Sequence, residues 1–222
     1  MHPKYHIVIT APELNVVAEG QWISALLRLG IGKVHIRKPQ ATVDEIARLL
    51  ENIPQTLRHR CILSEHSDLV CQYHLGGLHF SVKSWQSLTH RPELFDDQTL
   101  SVSCHSVEEL HKLPFLPDYA YLSPVAESLS KPGYGNSTCT TAELQQICAQ
   151  SPCPLVALGG IHPSNANHFL HLGFTAVASL GYWQGLSIHQ LEGAVHQMCS
   201  PRLLLCGGIA PTCQAGITAD VR

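Results

Sequence analysis

The chain has 222 residues, 45% of them hydrophobic and 14% charged, which suffices for one large domain with a well-buried core. Its formal net charge is -3 with neutral histidines, so no basic field invites nucleic acid. No apolar run approaches the roughly 20 residues that a membrane helix needs, and no charged-then-apolar leader is read.

In chain order, short apolar and β-branched runs suggest strands at 5–10 ("YHIVIT"), 33–36 ("KVHI"), 60–63 ("RCIL") and 76–80 ("GGLHF"). Four more follow at 100–104 ("LSVSC"), 119–123 ("YAYLS"), 155–158 ("LVAL") and 176–180 ("AVASL"). Between them, apolar residues three and four apart predict helices over 19–30, 43–53, 107–113, 141–150 and 163–173, with another over 186–198. Thr42, Ser106 and Thr140 are expected N-caps, each ahead of a first-turn carboxylate.

Eight strands, each followed by a helix or by room for one, predict a single-domain (β/α)8 barrel over residues 1–200. The strands read as mostly apolar, as parallel strands covered on both faces should. An open doubly wound sheet is the alternative, but Thr10-Ala11-Pro12, not a G-x-G-x-x-G turn, follows the first strand. The nine cysteines are scattered without a C-x-x-C, and the 15 histidines form no H-E-x-x-H, so a structural metal is not expected. The sum is a soluble, cytoplasmic protein without membrane or nucleic-acid partners, compatible with a homo-oligomer.

A barrel of this kind builds its site from the loops at the C-terminal strand ends. After strand two, "HIRKP" offers His35, Arg37 and Lys38, and two cations at a strand end suit an anionic ligand. Strand three leads to Ser64 and Glu65, strand four to Ser84, and strand five carries Ser103. After strand six comes a long loop, "LSPVAESLSKPGYGNS", containing Ser128, Ser130 and Lys131, of a length that suits a mobile cover. Gly159-Gly160 after strand seven and Leu180-Gly181 after strand eight are glycine turns where backbone N–H groups can cradle phosphate. These loops together favour a phosphorylated small molecule as ligand.

In this order, the loops resemble those of the thiamine phosphate synthase and TenI-type thiazole tautomerase superfamily, over about residues 5 to 198. The resemblance implies joining of hydroxymethylpyrimidine diphosphate to thiazole phosphate, with release of pyrophosphate and help from Mg²⁺. Of the family's Q-x-R-x-K, "HIRKP" keeps Arg37, has His35 for the glutamine and places the lysine one position early at Lys38. The family's N-D pair, whose aspartate holds Mg²⁺, falls on Ser64-Glu65, and the second metal aspartate falls on Ser84. Ser103 matches the family serine. The G-P-x-x-x-T-x-T-K loop aligns on "SPVAESLSK", with Ser128, Ser130 and Lys131 at its contact positions. Gly159-Gly160 and Leu180-Gly181 match the phosphate turns. The resemblance therefore implies catalytic roles for Lys131, Arg37 and His35, and Mg²⁺ on Glu65. "VHIR" also resembles the tautomerase branch, and the Ser84 replacement suits a ligand-binding homologue without turnover; both stay open as alternatives.

Residues 201–222, "PRLLLCGGIAPTCQAGITADVR", are similar to the start of hydroxymethylpyrimidine phosphate kinase. Gly208, Pro211, Ala215-Gly216-Ile217 and Ala219-Asp220 agree, while Ala210 replaces the substrate aspartate. A remnant or truncated beginning of a fused kinase is expected there, with no catalysis of its own.

Overall fold

The computed structural model describes residues 5–14, 16–64, 66–126 and 139–199. Eight parallel strands close into a barrel in sequence order: β1 (His6–Ile9), β2 (Lys33–Ile36), β3 (Cys61–Leu63), β4 (Gly77–Ser81), β5 (Thr99–Cys104), β6 (Tyr119–Leu122), β7 (Leu155–Leu158) and β8 (Ala176–Ser179). Closure comes from β1, which pairs with β2 on one side, Ile7 opposite Lys33, and with β8 on the other, His6 opposite Val177. The fold is the expected (β/α)8 barrel.

The helices between strands are α1 (Val16–Arg28), α2 (Val43–Glu51), α3 (Gln55–Arg58), α4 (Ser67–Gln72), α5 (Val82–Gln86), α6 (Val107–His111), α7 (Thr141–Gln150), α8 (Ala166–His171) and α9 (Leu191–Cys199). Thr42 and Thr140 form full capping boxes with Glu45 and Glu143, satisfying donors at the starts of α2 and α7. Ser106 departs from expectation. It occupies the N-cap position of α6, but its side chain makes no capping bond. No described helix is long and apolar enough to cross a membrane.

Alternation along each strand divides the apolar residues into two clusters. The outward set, such as Val8, Val34, Cys61 and Val102, packs under the helices together with Leu26, Leu49 and Leu110. A smaller set, Ile7, Val156 and Ala178 with Tyr121, fills the barrel interior. Burial pushes the Cys61 and Cys104 thiols up to about 12, so both act as small apolar fillers. At Gly77, with φ +147°, a Cβ would stand 1.9 Å from the Thr99 carbonyl oxygen, so the β4–β5 contact demands glycine.

The strands are less apolar than their sequence pattern implies. On β2, β4, β5 and β6 the inward positions carry His35, His79, Ser101 and the rings of Tyr119 and Tyr121. Parallel strands of a barrel need an apolar face toward the helices, but the inner face tolerates polar groups that bond one another.

Candidate active site at the barrel mouth

A cavity of about 620 Å³ opens at the C-terminal ends of β2 to β5. Its floor is the polar interior of the barrel. The Tyr121 hydroxyl lies 2.7 Å from His35 Nε2, and the Tyr119 hydroxyl lies 3.1 Å from the same nitrogen. The two nitrogens of His79 are bonded to serines two apart on β5, Nδ1 to Ser101 Oγ at 2.9 Å and Nε2 to Ser103 Oγ at 2.8 Å. Lys33 closes the lower end, donating to Thr99 Oγ1 at 3.1 Å with its ammonium 5.2 Å from the Tyr119 ring centre.

Burial governs the charge state of this network. It lowers the His79 imidazole to about 3. His35 is held well below the usual histidine range by burial first, then by His79 and Lys33. Both rings are therefore neutral at pH 7. Burial pushes Tyr119 up to about 12 and raises Tyr121 further above its ordinary value, so both phenols stay protonated. A neutral hydrogen-bonding floor can recognise the edge of an uncharged heterocycle, but His35 is a weak base in this setting.

Around the rim the structure brings together much of what the sequence singles out. His35, Arg37, Ser64, Ser84 and Ser103 all line this one cavity, with Arg37 exposed at the mouth. Lys38 also borders it, yet its ammonium is not free for a ligand. It is paired with Glu19 Oε1 at 2.6 Å and donates to the carbonyls of Ala11 and Glu13, so it ties β2 to the loop after β1. Adjacency to Arg37 suggested a second ligand cation; burial of its side chain to 1% exposure explains the different outcome.

The glycine turns lie elsewhere on the mouth. Gly159 and Gly160 both adopt positive φ, 98° and 66°, and a Cβ on Gly159 would meet Pro124 Cα at 2.9 Å. Gly181 starts a short 3-10 turn, Gly181–Trp183. Neither turn lines the large cavity, although Leu158 just before the first does. Leu180 lines a second cavity of about 470 Å³ between the loops after β1 and β8, walled by Trp22 and Trp183. Glu65, Ser128, Ser130 and Lys131 lie outside the described residues.

Sequence reasoning missed His79, Tyr119, Tyr121 and His66. The first three were legible as polar residues at alternate strand positions matching Ser101 and Ser103. His66 carries a subtler signal. It precedes α4 in left-handed backbone, φ 62° and ψ 63°, and its Nε2 is buried with no hydrogen-bond partner among the described residues. It too lines the cavity.

The resemblance implies Mg²⁺ at this end of the barrel. The described residues lining the cavity include serines and histidines but no carboxylate. No cluster of three or more metal-ligating side chains occurs among the described residues. The described hydroxyls and imidazoles, Ser84 at the second metal position among them, are by themselves a poor fit for a hard dication that prefers carboxylate and phosphate oxygens; Glu65 lies outside the described residues.

A closed eight-stranded parallel barrel, with a cavity at the C-terminal strand ends that carries polar groups on its floor and rim, is the architecture of the (β/α)8-barrel enzymes. Residues 6–181 match the family model described as thiamine monophosphate synthase, and the chain belongs to that family. The thiamine-phosphate synthase of Halalkalibacterium halodurans is 24% identical over 155 residues, spanning 68% of this chain and 73% of the relative. That of Chlamydia abortus is 22% identical over 182 residues, spanning 80% and 85%. Among solved structures, thiamine phosphate pyrophosphorylase from Bacteroides thetaiotaomicron superposes with a TM-score of 0.67 at 28% identity, covering 86% of this chain and 94% of that one.

Proposed function

We propose that the chain is a thiamine phosphate synthase, joining hydroxymethylpyrimidine diphosphate to thiazole phosphate with release of pyrophosphate. The observation that carries this reading is the family match over residues 6–181, which spans all eight strands and the cavity their ends enclose. In this reading the pyrimidine enters the cavity and meets the neutral floor of His35, His79 and Tyr121. Its C–O bond to the diphosphate breaks, the bonding pair leaving with pyrophosphate, and the thiazole nitrogen supplies the pair for the new C–N bond. Arg37 at the mouth and Lys131 stabilise the negative charge that develops on the leaving group. Ser128 and Ser130 contact phosphate oxygens, and the turns at Gly159-Gly160 and Gly181 hold the thiazole phosphate through backbone N–H groups. Residues 201–222 take no part.

Incubation with both phosphorylated halves should release pyrophosphate in step with product. Release of none, with isomerisation of a carboxythiazole phosphate instead, would reassign the chain to the tautomerase reaction. Lys131→Ala is expected to lower kcat by about 100-fold or more, the scale of losing one transition-state charge contact; an unchanged kcat would remove Lys131 from the site.

A further inference from the structure

The rim of the large cavity between β3 and β4 holds a group of donors with no described carboxylate among them. Ser64, Ser67, Ser81, Ser84 and His66 line it, and Arg37 stands on the neighbouring strand end. The Ser81 and Ser84 hydroxyls are 2.9 Å apart, and Ser81 Oγ also accepts the Ser84 backbone N–H at 3.1 Å. Two hydroxyl protons serve one mutual bond, so whichever oxygen donates, one O–H of the pair remains to point outward. Across the rim, His66 Nε2 is buried without a partner among the described residues. Its left-handed backbone costs a β-carbon residue about 1 kcal/mol relative to the ordinary helical region. A buried nitrogen without a described partner, on a residue in left-handed backbone that lines one cavity with a spare hydroxyl proton and Arg37, is the pattern of a site completed by a ligand.

We infer that this rim binds the oxygens of a phosphate or diphosphate directly, through Ser84, Ser81, His66 and Arg37, without a metal ion bridging the anion to the protein at Ser84. Hydroxyl, imidazole and guanidinium groups donate hydrogen bonds, which an oxyanion accepts and a divalent cation cannot. The identity of the anion as the diphosphate of the pyrimidine substrate rests on the function proposed above; the direct contact itself does not.

Calorimetric titration of the full chain with inorganic pyrophosphate in EDTA tests the inference. Wild type is expected to bind, and Ser84→Ala and His66→Gly each to bind about tenfold more weakly, the scale of one lost hydrogen bond to a charged group. Glycine suits left-handed backbone, so the melting temperature of His66→Gly should hold, which separates lost contact from lost fold. Ser84→Asp should bind more weakly in EDTA and recover when Mg²⁺ is added. Wild-type binding that requires Mg²⁺, or both variants binding as tightly as wild type in EDTA, overturns the inference. Metal-free binding in a chain that releases no pyrophosphate from the two substrates would sustain the inference and defeat the synthase reading.

Discussion

The two halves of the barrel interior are built on different physics. Along β7, β8 and β1 the inner face is Val156, Ala178 and Ile7, a dry patch held by apolar contact. Along β2, β4, β5 and β6 it is His35, His79, Ser101, Ser103 and two tyrosines, held by hydrogen bonds between side chains. The cavity follows the second half: its floor is that network, and its rim continues over the ends of the same strands. A polar interior is costly unless every group finds a partner, and here the partners are mutual. The dry half supplies packing, and the polar half supplies recognition.

The largest expected separation between the halves is in the response to truncation. Tyr121→Ala should destabilise by about 3–5 kcal/mol, since it leaves a cavity and removes the shorter of the two hydroxyl contacts to His35 Nε2. Urea unfolding checks this, and a loss below about 1 kcal/mol would mean that the network contributes little.

Acid should distinguish the halves next. The folded chain holds His79 at about 3, whereas an unfolded histidine titrates near 6.5. Above pH 6.5 both states are neutral there and stability is full. As pH falls below 6.5 the unfolded chain gains a proton that the folded chain refuses, so stability declines until the folded value is passed. At pH 4.5 the loss from His79 is about 2–3 kcal/mol, and His35 acts in the same direction. Denaturant midpoints across this range should slope accordingly, and His79→Leu should flatten the slope. An unchanged slope would place the acid sensitivity elsewhere.

Tyr121→Phe keeps the ring and removes the hydroxyl, so a loss of about 1–2 kcal/mol is expected. The smallest change is Ile7→Val on the dry side, at about 1 kcal/mol and equal at pH 7.5 and 4.5. If that cost varied with pH, the two halves would not be independent.

Much of this architecture was legible in the residues. "KVHI", "LVAL" and "TAELQQICAQ" match β2, β7 and α7 residue for residue, because periodicity and capping are local. The short helices α4 and α5 were not separately expected, as six and five residues give too few turns for a 3.6-residue period to show. At the site, the loop rule brought Ser64, Ser84, Ser103, His35 and Arg37 to one cavity. The state of Lys38 was not readable. Its partner Glu19 lies in α1, and nothing local to "HIRKP" announces a contact that only closure of the barrel creates.

That contact has a further consequence. The ammonium of Lys38 carries three protons, and three acceptors meet it: Glu19, the carbonyl of Ala11 and the carbonyl of Glu13. Its position is saturated before any small molecule arrives. The β1 side of the entrance is thus set by the protein alone, and a guest meeting that wall need not supply the entropy of arranging it. Selectivity on this side comes from shape fixed during folding, while on the opposite rim the spare O–H of the Ser81–Ser84 pair and the Nε2 of His66, which has no partner among the described residues, leave a guest to complete the bonding.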